Sequence, residues 1–376
     1  MKQILQCQHS STCSACPLIG VNYEDQLEQK KQHLLSLLKS KDLLNADLQS
    51  IDVLSAGDHG VRDRVDLTYD SKESSRLGFY GKDREIFHIH HCPQMSEALN
   101  EYFQQVSQIS FPIKKGSLRL RVSPKKELGV WLDFSNQDTK FLLDEKHTLL
   151  KLLDLGIVEI GQKKKRLILQ DTQLKLQKEP VFHPWFETYS PKNIYALQCT
   201  IGSFTQPGLA MNKLLLQAVF KMLKLSSGQR ILEWGAGIGN FTIPLSEQYQ
   251  VTALELDHLA SRALLSSLEK INNEKTKIIT GNFHKEAELS LVKEHDVFLC
   301  DPPRSGLQSY LDNWNEIPLT QKPKDFIYVS CSPESFVWDS QKLQQWGYSL
   351  QQITLVDQFP QSHHYEIIAH LSLSHS

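Results

Sequence analysis

A single cysteine follows a predicted buried strand in the C-terminal half of the chain. Cys331 comes directly after the mostly apolar run 326–330 and before Ser332 and Pro333, which end that run. Such a short apolar run is typical of a strand in a parallel sheet. Open α/β sheets bind their ligands at the carboxyl ends of their strands. The sequence therefore predicts a thiol at a ligand-binding edge, with a small buried side chain as the alternative.

A second group of cysteines lies near the N-terminus. Cys7, Cys13 and Cys16 have the spacing Cys-x5-Cys-x2-Cys, and Cys92 supplies a fourth thiol. Four thiolates suit tetrahedral zinc or an iron–sulfur cluster. Spacing alone leaves zinc slightly ahead, because a Cys-x2-Cys pair is common to both kinds of site.

A glycine-rich segment, Gly235-Ala-Gly-Ile-Gly-Asn240, lies between a predicted strand and a predicted helix. Glycines let the backbone bend tightly and approach a ligand closely. A dinucleotide fingerprint requires glycine at position 240, so Asn240 disfavours NAD. Glu255 ends the next predicted strand, where a carboxylate accepts hydrogen bonds from ribose hydroxyls. The pattern suits S-adenosylmethionine, and a tight turn without any ligand is the alternative.

A proline-rich loop follows the predicted strand 296–300. It reads Asp301-Pro-Pro-Arg304-Ser-Gly. Amino-group methyltransferases commonly have an aromatic residue where Arg304 stands. Cytosine-C5 RNA methyltransferases have their nucleophilic cysteine in this loop, and that cysteine is absent here. Cys331, one strand later, is the thiol that remains for such chemistry.

Length and composition set the frame for these sites. The chain has 376 residues, which favours two domains, and it is 40% hydrophobic and 22% charged, as in ordinary globular proteins. No secretory leader and no apolar run of bilayer length is present, so we expect a cytoplasmic protein without membrane contact. The odd number of cysteines, 7, argues against a disulfide framework. The net charge of −2 gives no global signature of nucleic-acid binding.

The hydrophobic patterns divide the chain near residue 195. Residues 1–195 predict an α+β domain with an amphipathic helix over 22–44 and antiparallel strands, including a hairpin over 117–134. Residues 196–376 alternate strands with helices, which predicts a doubly wound parallel sheet of the α/β class. Basic residues in the first domain indicate either a solvated face or phosphate contacts. They are Lys114, Lys115, Arg119, Arg121, Lys125, Lys126, Lys163, Lys164, Lys165, Arg166, Lys175 and Lys178.

Taken in order, these segments resemble the bacterial RNA uridine-C5 methyltransferases, which make 5-methyluridine in 23S rRNA and tRNA. Each segment is weak singly, but the ordered set covers nearly the whole chain and is specific. The segments are the N-terminal cysteines, Ser203-Phe-Thr-Gln206-Pro, Gly235-Ala-Gly-Ile-Gly-Asn240-Phe-Thr, Asp301-Pro-Pro-Arg-Ser-Gly, Ser330-Cys-Ser-Pro-Glu and Asp357-Gln-Phe-Pro-Gln-Ser-His-His-Tyr-Glu366. Gly235 departs from the aromatic residue that the family often has, and Ser332 stands where asparagine is common.

The resemblance implies a role for each matching residue. Cys331 aligns with the family nucleophile and Glu366 with its general base. S-adenosylmethionine is the implied cofactor, bound in a Rossmann-like methyltransferase domain over 196–376. Cofactor or active-site positions are implied for Gln206, Gly235, Asn240, Glu255, Asn282 and Asp301. The resemblance also favours a [4Fe–4S] cluster over zinc, held in the N-terminal domain by Cys7, Cys13, Cys16 and Cys92.

The chemistry of uracil explains why such residues are needed. Its C5 atom is too weak a nucleophile to accept a methyl group until a thiolate adds to C6. A base, expected to be Glu366, must then remove the C5 proton so that the thiol is expelled. We expect Asp301 to accept a hydrogen bond from uracil N3–H. A uridine in folded RNA must also be flipped out to reach the site.

The expected partner is RNA, with 23S rRNA favoured and tRNA as the alternative, and we expect a monomer. The N-terminal β-barrel module that is frequent in the family is not expected, because the cysteine motif begins at Cys7. Two other interpretations remain at this stage. One is an RNA-binding relative without turnover, and the other is an NAD-dependent oxidoreductase with a redox cysteine.

Overall fold

The structure is a computed structural model that describes residues 4–44, 50–71, 76–134, 137–144, 146–223, 229–281 and 289–373. The predicted cofactor residue Asn282 lies outside these ranges. The α-helices of the described residues are α1 (Tyr23–Lys39), α2 (Glu97–Ser107), α3 (Thr139–Asp144), α4 (Lys146–Leu155), α5 (Leu209–Met222), α6 (Thr242–Leu245), α7 (His258–Lys270), α8 (Leu289–Lys293), α9 (Gln308–Asp312) and α10 (Pro333–Gln345).

The strands of the same residues form two large sheets and one hairpin. They are β1 (Asp52–Ser55), β2 (Arg64–Asp70), β3 (Arg76–Tyr80), β4 (Ile86–His88), β5 (Lys115–Val122), β6 (Leu128–Asp133), β7 (Ile157–Ile160), β8 (Lys165–Gln170), β9 (Gln173–Leu176), β10 (His183–Tyr189), β11 (Ile194–Cys199), β12 (Arg230–Trp234), β13 (Gln250–Glu255), β14 (Lys277–Thr280), β15 (Val297–Cys300), β16 (Asp325–Ser330), β17 (Tyr348–Asp357) and β18 (Glu366–Leu373).

The first large sheet, which we call the C-terminal sheet, has the order β1-β17-β18-β16-β15-β12-β13-β14. Strands β16, β15, β12, β13 and β14 run parallel, and β18 lies antiparallel between β16 and β17. All four residues of β15 are buried, because helices cover both faces of a parallel sheet. The α/β fold predicted for this half is confirmed, but the sheet is mixed rather than parallel throughout because β18 runs antiparallel to both of its neighbours.

The second large sheet, the N-terminal sheet, has the order β4-β3-β2-β5-β6-β7-β8-β9. Its neighbouring strands are antiparallel except for the parallel pair β6 and β7. Val65, Leu67 and Tyr69 alternate with more exposed residues along β2, as expected for a sheet with one buried face. The predicted hairpin is confirmed as β5 and β6, in which Val122 pairs with Leu128.

The two halves of the chain are more interwoven than a division at residue 195 suggests. Strand β1 pairs in parallel with β17 and thereby joins the C-terminal sheet. Helix α1 packs against α10, and the hairpin of β10 and β11 packs against α5 and α7. Leu34 and Leu38 of α1 belong to the same hydrophobic core as the strands of the C-terminal sheet, so this early helix is part of the later domain. Such a pairing is a tertiary property that local sequence patterns do not reveal.

Helix α1 confirms the predicted amphipathic helix, although it ends at Lys39. Its buried face carries two polar residues, Gln26 and Lys30, beside Leu34 and Leu38. The Lys30 ammonium donates hydrogen bonds to Asp357 Oδ1 at 2.6 Å and to the Phe359 carbonyl at 3.1 Å. Burial lowers the pKa of Lys30, and the carboxylate of Asp357 opposes that shift.

More contacts connect α1 to the segment that follows β17. The Tyr23 hydroxyl donates to Asp357 Oδ2 at 2.7 Å. The Gln26 amide donates to Gln361 Oε1 at 2.9 Å and accepts from the Gln361 backbone N–H at 3.0 Å. The helix therefore holds both ends of segment 357–361 against the C-terminal sheet. Within the described residues, no helix combines the length and apolar character that crossing a bilayer requires.

We expect the substitution Lys30→Met to destabilise the protein by about 3–5 kcal/mol, because it leaves the Asp357 carboxylate buried without its cation. Chemical denaturation monitored by tryptophan fluorescence measures this change. The control Lys39→Met removes an exposed lysine from the same helix and should change stability little. The double substitution Lys30→Met with Asp357→Leu should recover part of the loss. Equal stability of Lys30→Met and Lys39→Met would contradict the assignment.

Candidate functional site

The glycine segment 235–240 forms the turn between β12 and the region of α6. Gly239 has a φ of +96°, and a Cβ there would lie 2.5 Å from Leu264 Cδ1, so only glycine fits. Glu255, at the end of β13, accepts hydrogen bonds from the Gly237 N–H at 2.6 Å and from the Asp257 N–H at 2.7 Å. The glutamate therefore fixes the turn next to the ends of β12 and β13.

A cavity of about 450 Å³ opens at this edge of the C-terminal sheet. This volume is in the range of small-molecule and cofactor sites. Five of the residues predicted at cofactor or active-site positions line this cavity. They are Gln206, Gly235, Asn240, Glu255 and Asp301.

The side-chain amide of Asn240 is hydrogen-bonded to the side chain of another residue of the protein. Its amide donates to Asn212 Oδ1 at 2.8 Å, and its Oδ1 accepts from the Asn212 amide at 2.9 Å. The Thr188 hydroxyl also donates to the Asn240 carbonyl. Asn240 therefore ties the glycine turn to α5 and β10 while it lines the cavity. This use of its side chain was not predicted from the sequence.

Cys331 lies directly after β16 and is partly exposed in a second cavity of about 190 Å³. Arg304, His364 and Tyr365 share the wall of this cavity. Burial raises the pKa of the Cys331 thiol, and the carboxyl groups of Glu366 and Asp301 raise it further, while Arg304 opposes the shift. The thiol is therefore accessible, and it interacts electrostatically with the carboxyl groups of Glu366 and Asp301.

Glu366 is the first residue of β18 and is only 6% exposed. Burial raises the pKa of Glu366 to about 8, the nearby Asp301 adds to the rise, and a hydrogen bond from Gln358 opposes it. Burial also raises the pKa of Asp301 to about 7. The strands β15, β16 and β18 are neighbours in the sheet, so their ends bring Asp301, Cys331 and Glu366 together.

Gln358, which no sequence pattern marked as a site residue, connects the cluster of Asp301, Cys331 and Glu366 to the larger cavity. Its Nε2 donates to Glu366 Oε2 at 2.5 Å and to Gln206 Oε1 at 2.9 Å. Gln358 and Gln206 are both buried. In the sequence, Gln358 lies between the apolar residues Val356 and Phe359, which suggests that it is buried. This pattern does not indicate which side chain would be its hydrogen-bond partner.

Two of the basic residues considered as phosphate contacts instead hold the loop that precedes Gln206. Arg121 is buried and donates to the Ser203 carbonyl at 2.8 Å and to the Thr205 hydroxyl at 3.2 Å. Arg119 donates to the Gly202 carbonyl at 2.6 Å. Neither a solvated face nor a phosphate contact describes Arg121, because its guanidinium is enclosed by the protein.

The four N-terminal cysteines lie close to one another. Burial raises the pKa of Cys16 to about 12, and the other three thiols contribute to that rise. Cys92 donates its backbone N–H to Asn100 Oδ1 at 2.9 Å and accepts from the Asn100 amide at 3.0 Å. Among the described residues, no group of three or more His, Cys, Asp or Glu side chains has the arrangement that holds a metal ion. The predicted cluster therefore stays a prediction.

Comparison with known proteins agrees with this geometry. The family model described as tRNA (uracil-5-)-methyltransferase matches residues 145–373. A protein of Bdellovibrio bacteriovorus named as an RNA methyltransferase is 37% identical over 373 residues, which cover 96% of this chain and 94% of that protein. The 23S rRNA (uracil(1939)-C(5))-methyltransferase RlmD of Shewanella woodyi is 28% identical, covering 98% of this chain and 82% of its own length.

A solved structure has the same fold over almost the whole chain. It is the tRNA (uracil-54, C5)-methyltransferase of Pyrococcus abyssi in complex with S-adenosyl-L-homocysteine. The TM-score is 0.66 at 22% identity, and the match covers 95% of this chain and 86% of the other. The fold, the arrangement of the sheet edge and the match at 37% identity lead to one assignment. The chain belongs to the tRNA (uracil-5-)-methyltransferase family and is an S-adenosylmethionine-dependent RNA uracil-C5 methyltransferase.

Proposed function

We propose that this enzyme methylates a uridine of 23S rRNA through a transient bond between Cys331 and uracil C6, with Glu366 as the base. The observation that carries this proposal is the meeting of an accessible thiol, the buried Glu366 carboxyl and the partly buried Asp301 carboxyl at adjacent strand ends. Asp301, one of these three residues, also lines the larger cavity, which the glycine turn borders. Nucleophile, base and cofactor wall therefore occupy one edge of the C-terminal sheet.

The residues around the larger cavity fit S-adenosylmethionine. No atom of the described residues lies within 4 Å of the position that a Cβ on Gly237 would take, so these residues leave open space for a ligand at the turn. Glu255 uses each carboxylate oxygen for one backbone N–H, and each oxygen keeps a lone pair for a ribose hydroxyl. Bound S-adenosylmethionine supplies the methyl group to be transferred. We propose that Gln206, Gly235 and Glu255 hold it, with Asn240 supporting the turn.

Cys331 begins the reaction by adding to uracil C6. Its raised pKa keeps it a thiol near neutral pH in the free protein, so its proton must pass to solvent water, through the cavity to which Cys331 is exposed, as the C6–S bond forms. Glu366 and Asp301 are the acidic groups that interact with it. Addition moves the electron pair of the C5–C6 double bond toward C5, which makes C5 the nucleophile for methyl transfer.

Glu366 completes the reaction by removing the C5 proton after methyl transfer. The electron pair of the C5–H bond then forms the new C5–C6 double bond, and the C6–S bond breaks to release the thiolate. A base works best when its pKa lies near the working pH, and burial brings the pKa of Glu366 to about 8. The carboxyl group thus has a proton affinity suited to this step.

Asp301 is positioned to recognise uracil. A carboxylate there accepts a hydrogen bond from N3–H, whereas cytosine carries no proton on N3. An unpaired buried carboxylate would make cytosine binding unfavourable. We propose that this contact, rather than the thiol, distinguishes the two pyrimidines.

The rRNA target is supported by the relatives that are named as 23S rRNA methyltransferases and align over almost the whole chain. The tRNA alternative comes from the family description and from the Pyrococcus enzyme. We propose that the N-terminal sheet binds RNA around the flipped nucleotide. Phe204, 71% exposed at the rim of the larger cavity, offers an aromatic surface for a neighbouring base.

We also propose that Cys7, Cys13, Cys16 and Cys92 hold a [4Fe–4S] cluster. The observation that supports this proposal is that Cys7, Cys13 and Cys92 all lie near enough to Cys16 to raise the pKa of its thiol. Cys13 forms a β-bridge with Gly81. A cluster would therefore cross-link the N-terminal loop to the N-terminal sheet, which is a structural role.

A covalent adduct with 5-fluorouridine RNA tests the proposed nucleophile and the RNA class together. Fluorine at C5 cannot be removed as a proton, so the adduct should persist with S-adenosylmethionine present. We expect a shifted band on denaturing gels with a 23S rRNA transcript, and little with a tRNA transcript. Cys331→Ser should lose the band, whereas Cys199→Ser should keep it. An adduct that survives Cys331→Ser, or that forms only with tRNA, would sink the corresponding part of the proposal.

Glu366→Gln tests the proposed base. We expect turnover to fall by about 10²–10⁴-fold while the methylated adduct on ordinary uridine RNA accumulates, since only its breakdown needs the base. In the unsubstituted enzyme, adduct breakdown should accelerate as pH rises through about 8, because the carboxylate is the active form. A rapid-quench experiment at several pH values measures both. Normal release of product by Glu366→Gln would exclude this role.

Iron analysis tests the cluster. Protein purified without oxygen should carry about four iron and four sulfide per chain. Cys92→Ser should lose most of the iron and melt at lower temperature, and Cys300→Ala should retain the iron because Cys300 is buried in the C-terminal sheet. One zinc per chain in place of iron would show that the cysteines hold a single ion.

A further inference from the structure

Gln358 stands between the proposed base and the wall of the cofactor cavity. It is 2% exposed, and its Nε2 donates to two oxygens that belong to Glu366 and Gln206. Its own Oε1 is buried and has no hydrogen-bond partner among the residues that the structure describes. Within the described residues, the side-chain amide of Gln358 therefore donates two hydrogen bonds and accepts none.

This polarity fixes the orientation of the amide. Turning the amide by 180° would direct Oε1 toward the Glu366 carboxylate and toward Gln206 Oε1, placing three acceptors together. The observed orientation instead gives the carboxylate a donor at 2.5 Å. Hydrogen bonds to a carboxylate are strongest when it is charged, so the contact favours the form that accepts a proton.

The backbone around Gln358 is fastened on both sides. Asp357 is held by Lys30, and Gln361 is held by Gln26, so α1 restrains the segment before and after the amide. Gln206 Oε1 anchors the same amide from the cavity wall. These contacts leave Gln358 little freedom to move away from Glu366.

We propose that Gln358 is a positioning residue that holds Glu366 ready to remove the C5 proton and thereby sets the pH range in which the product is released. The inference rests on the proposed function, in which Glu366 is the base for the breakdown of the Cys331 adduct. Two titratable groups interact with Glu366, Asp301 after β15 and Cys331 after β16. Both are acidic, so Gln358 supplies the hydrogen bond that counteracts them.

The test compares Gln358→Met and Gln358→Glu with the unsubstituted enzyme on uridine RNA. Both variants keep a side chain of similar size, so the fold should persist, and thermal melting checks this. Met removes the donor, and we expect the pH dependence of adduct breakdown to move upward by about one unit. At about pH 7, breakdown should then be roughly tenfold slower, and the methylated adduct should accumulate. Raising the pH should release it.

Gln358→Glu replaces the donor with a second acid, and we expect a larger upward shift because two carboxyl groups then share the site. Gln94→Met is the matched control. Gln94 is also a buried glutamine, but its Nε2 donates to the Asp58 carbonyl at 2.9 Å and not to Glu366, so its loss should lower stability without moving the pH dependence. The formation rate of the adduct, which needs Cys331 but not the base, should remain similar in all variants.

The outcomes separate the inference from the function on which it rests. An upward shift of the pH dependence in the Gln358 variants but not in Gln94→Met supports the inference. Rates that fall equally at every pH in the folded Gln358 variants would mean that the amide only supports the fold, and the inference is overturned. No adduct in the unsubstituted enzyme would overturn the proposed function and the inference together.

Discussion

The burial of acidic side chains at one edge of the C-terminal sheet, partial for Asp301 and Cys331 and nearly complete for Glu366, sets the proton affinities of the candidate site. Burial raises the pKa of Asp301 to about 7 and that of Glu366 to about 8, and it also raises the pKa of the Cys331 thiol. In water, these carboxyl groups would be weak bases that remain ionised throughout the physiological range. Their enclosure gives them proton affinities suited to chemistry near neutral pH. The neighbouring ends of β15, β16 and β18 make that enclosure possible because they place all three groups together.

The edge is supported by elements that come from far away in the chain. Helix α1 restrains segment 357–361 through Lys30 and Gln26, while Arg121 of the N-terminal sheet restrains the loop before Gln206. Both supports use buried polar groups, which are costly to leave unpaired and therefore define one geometry. The N-terminal sheet thus contributes to the architecture of the larger cavity.

Hydrogen bonds connect the N-terminal sheet to the loop that leads into the C-terminal half. The loop that joins β11 to α5 receives hydrogen bonds from Arg119 and Arg121, and Glu159 of β7 accepts from the Ile201 N–H at 2.8 Å. The same loop carries Phe204 at the rim of the cavity and Gln206 in its wall. The N-terminal sheet is therefore hydrogen-bonded to the loop whose residues border the larger cavity.

Sequence patterns determined the fold of the C-terminal half, the hairpin of β5 and β6, and the position of Cys331 after a buried strand. These features follow from local periodicity and from residues adjacent in the chain. Tertiary structure alone decided that β1 joins β17, that Asn240 pairs with Asn212, that Arg121 is enclosed, and that Gln358 meets Glu366. Each of these depends on which distant side chain occupies the neighbouring space. A sequence specifies that choice only through the free energy of the complete packed chain, so no short pattern displays it.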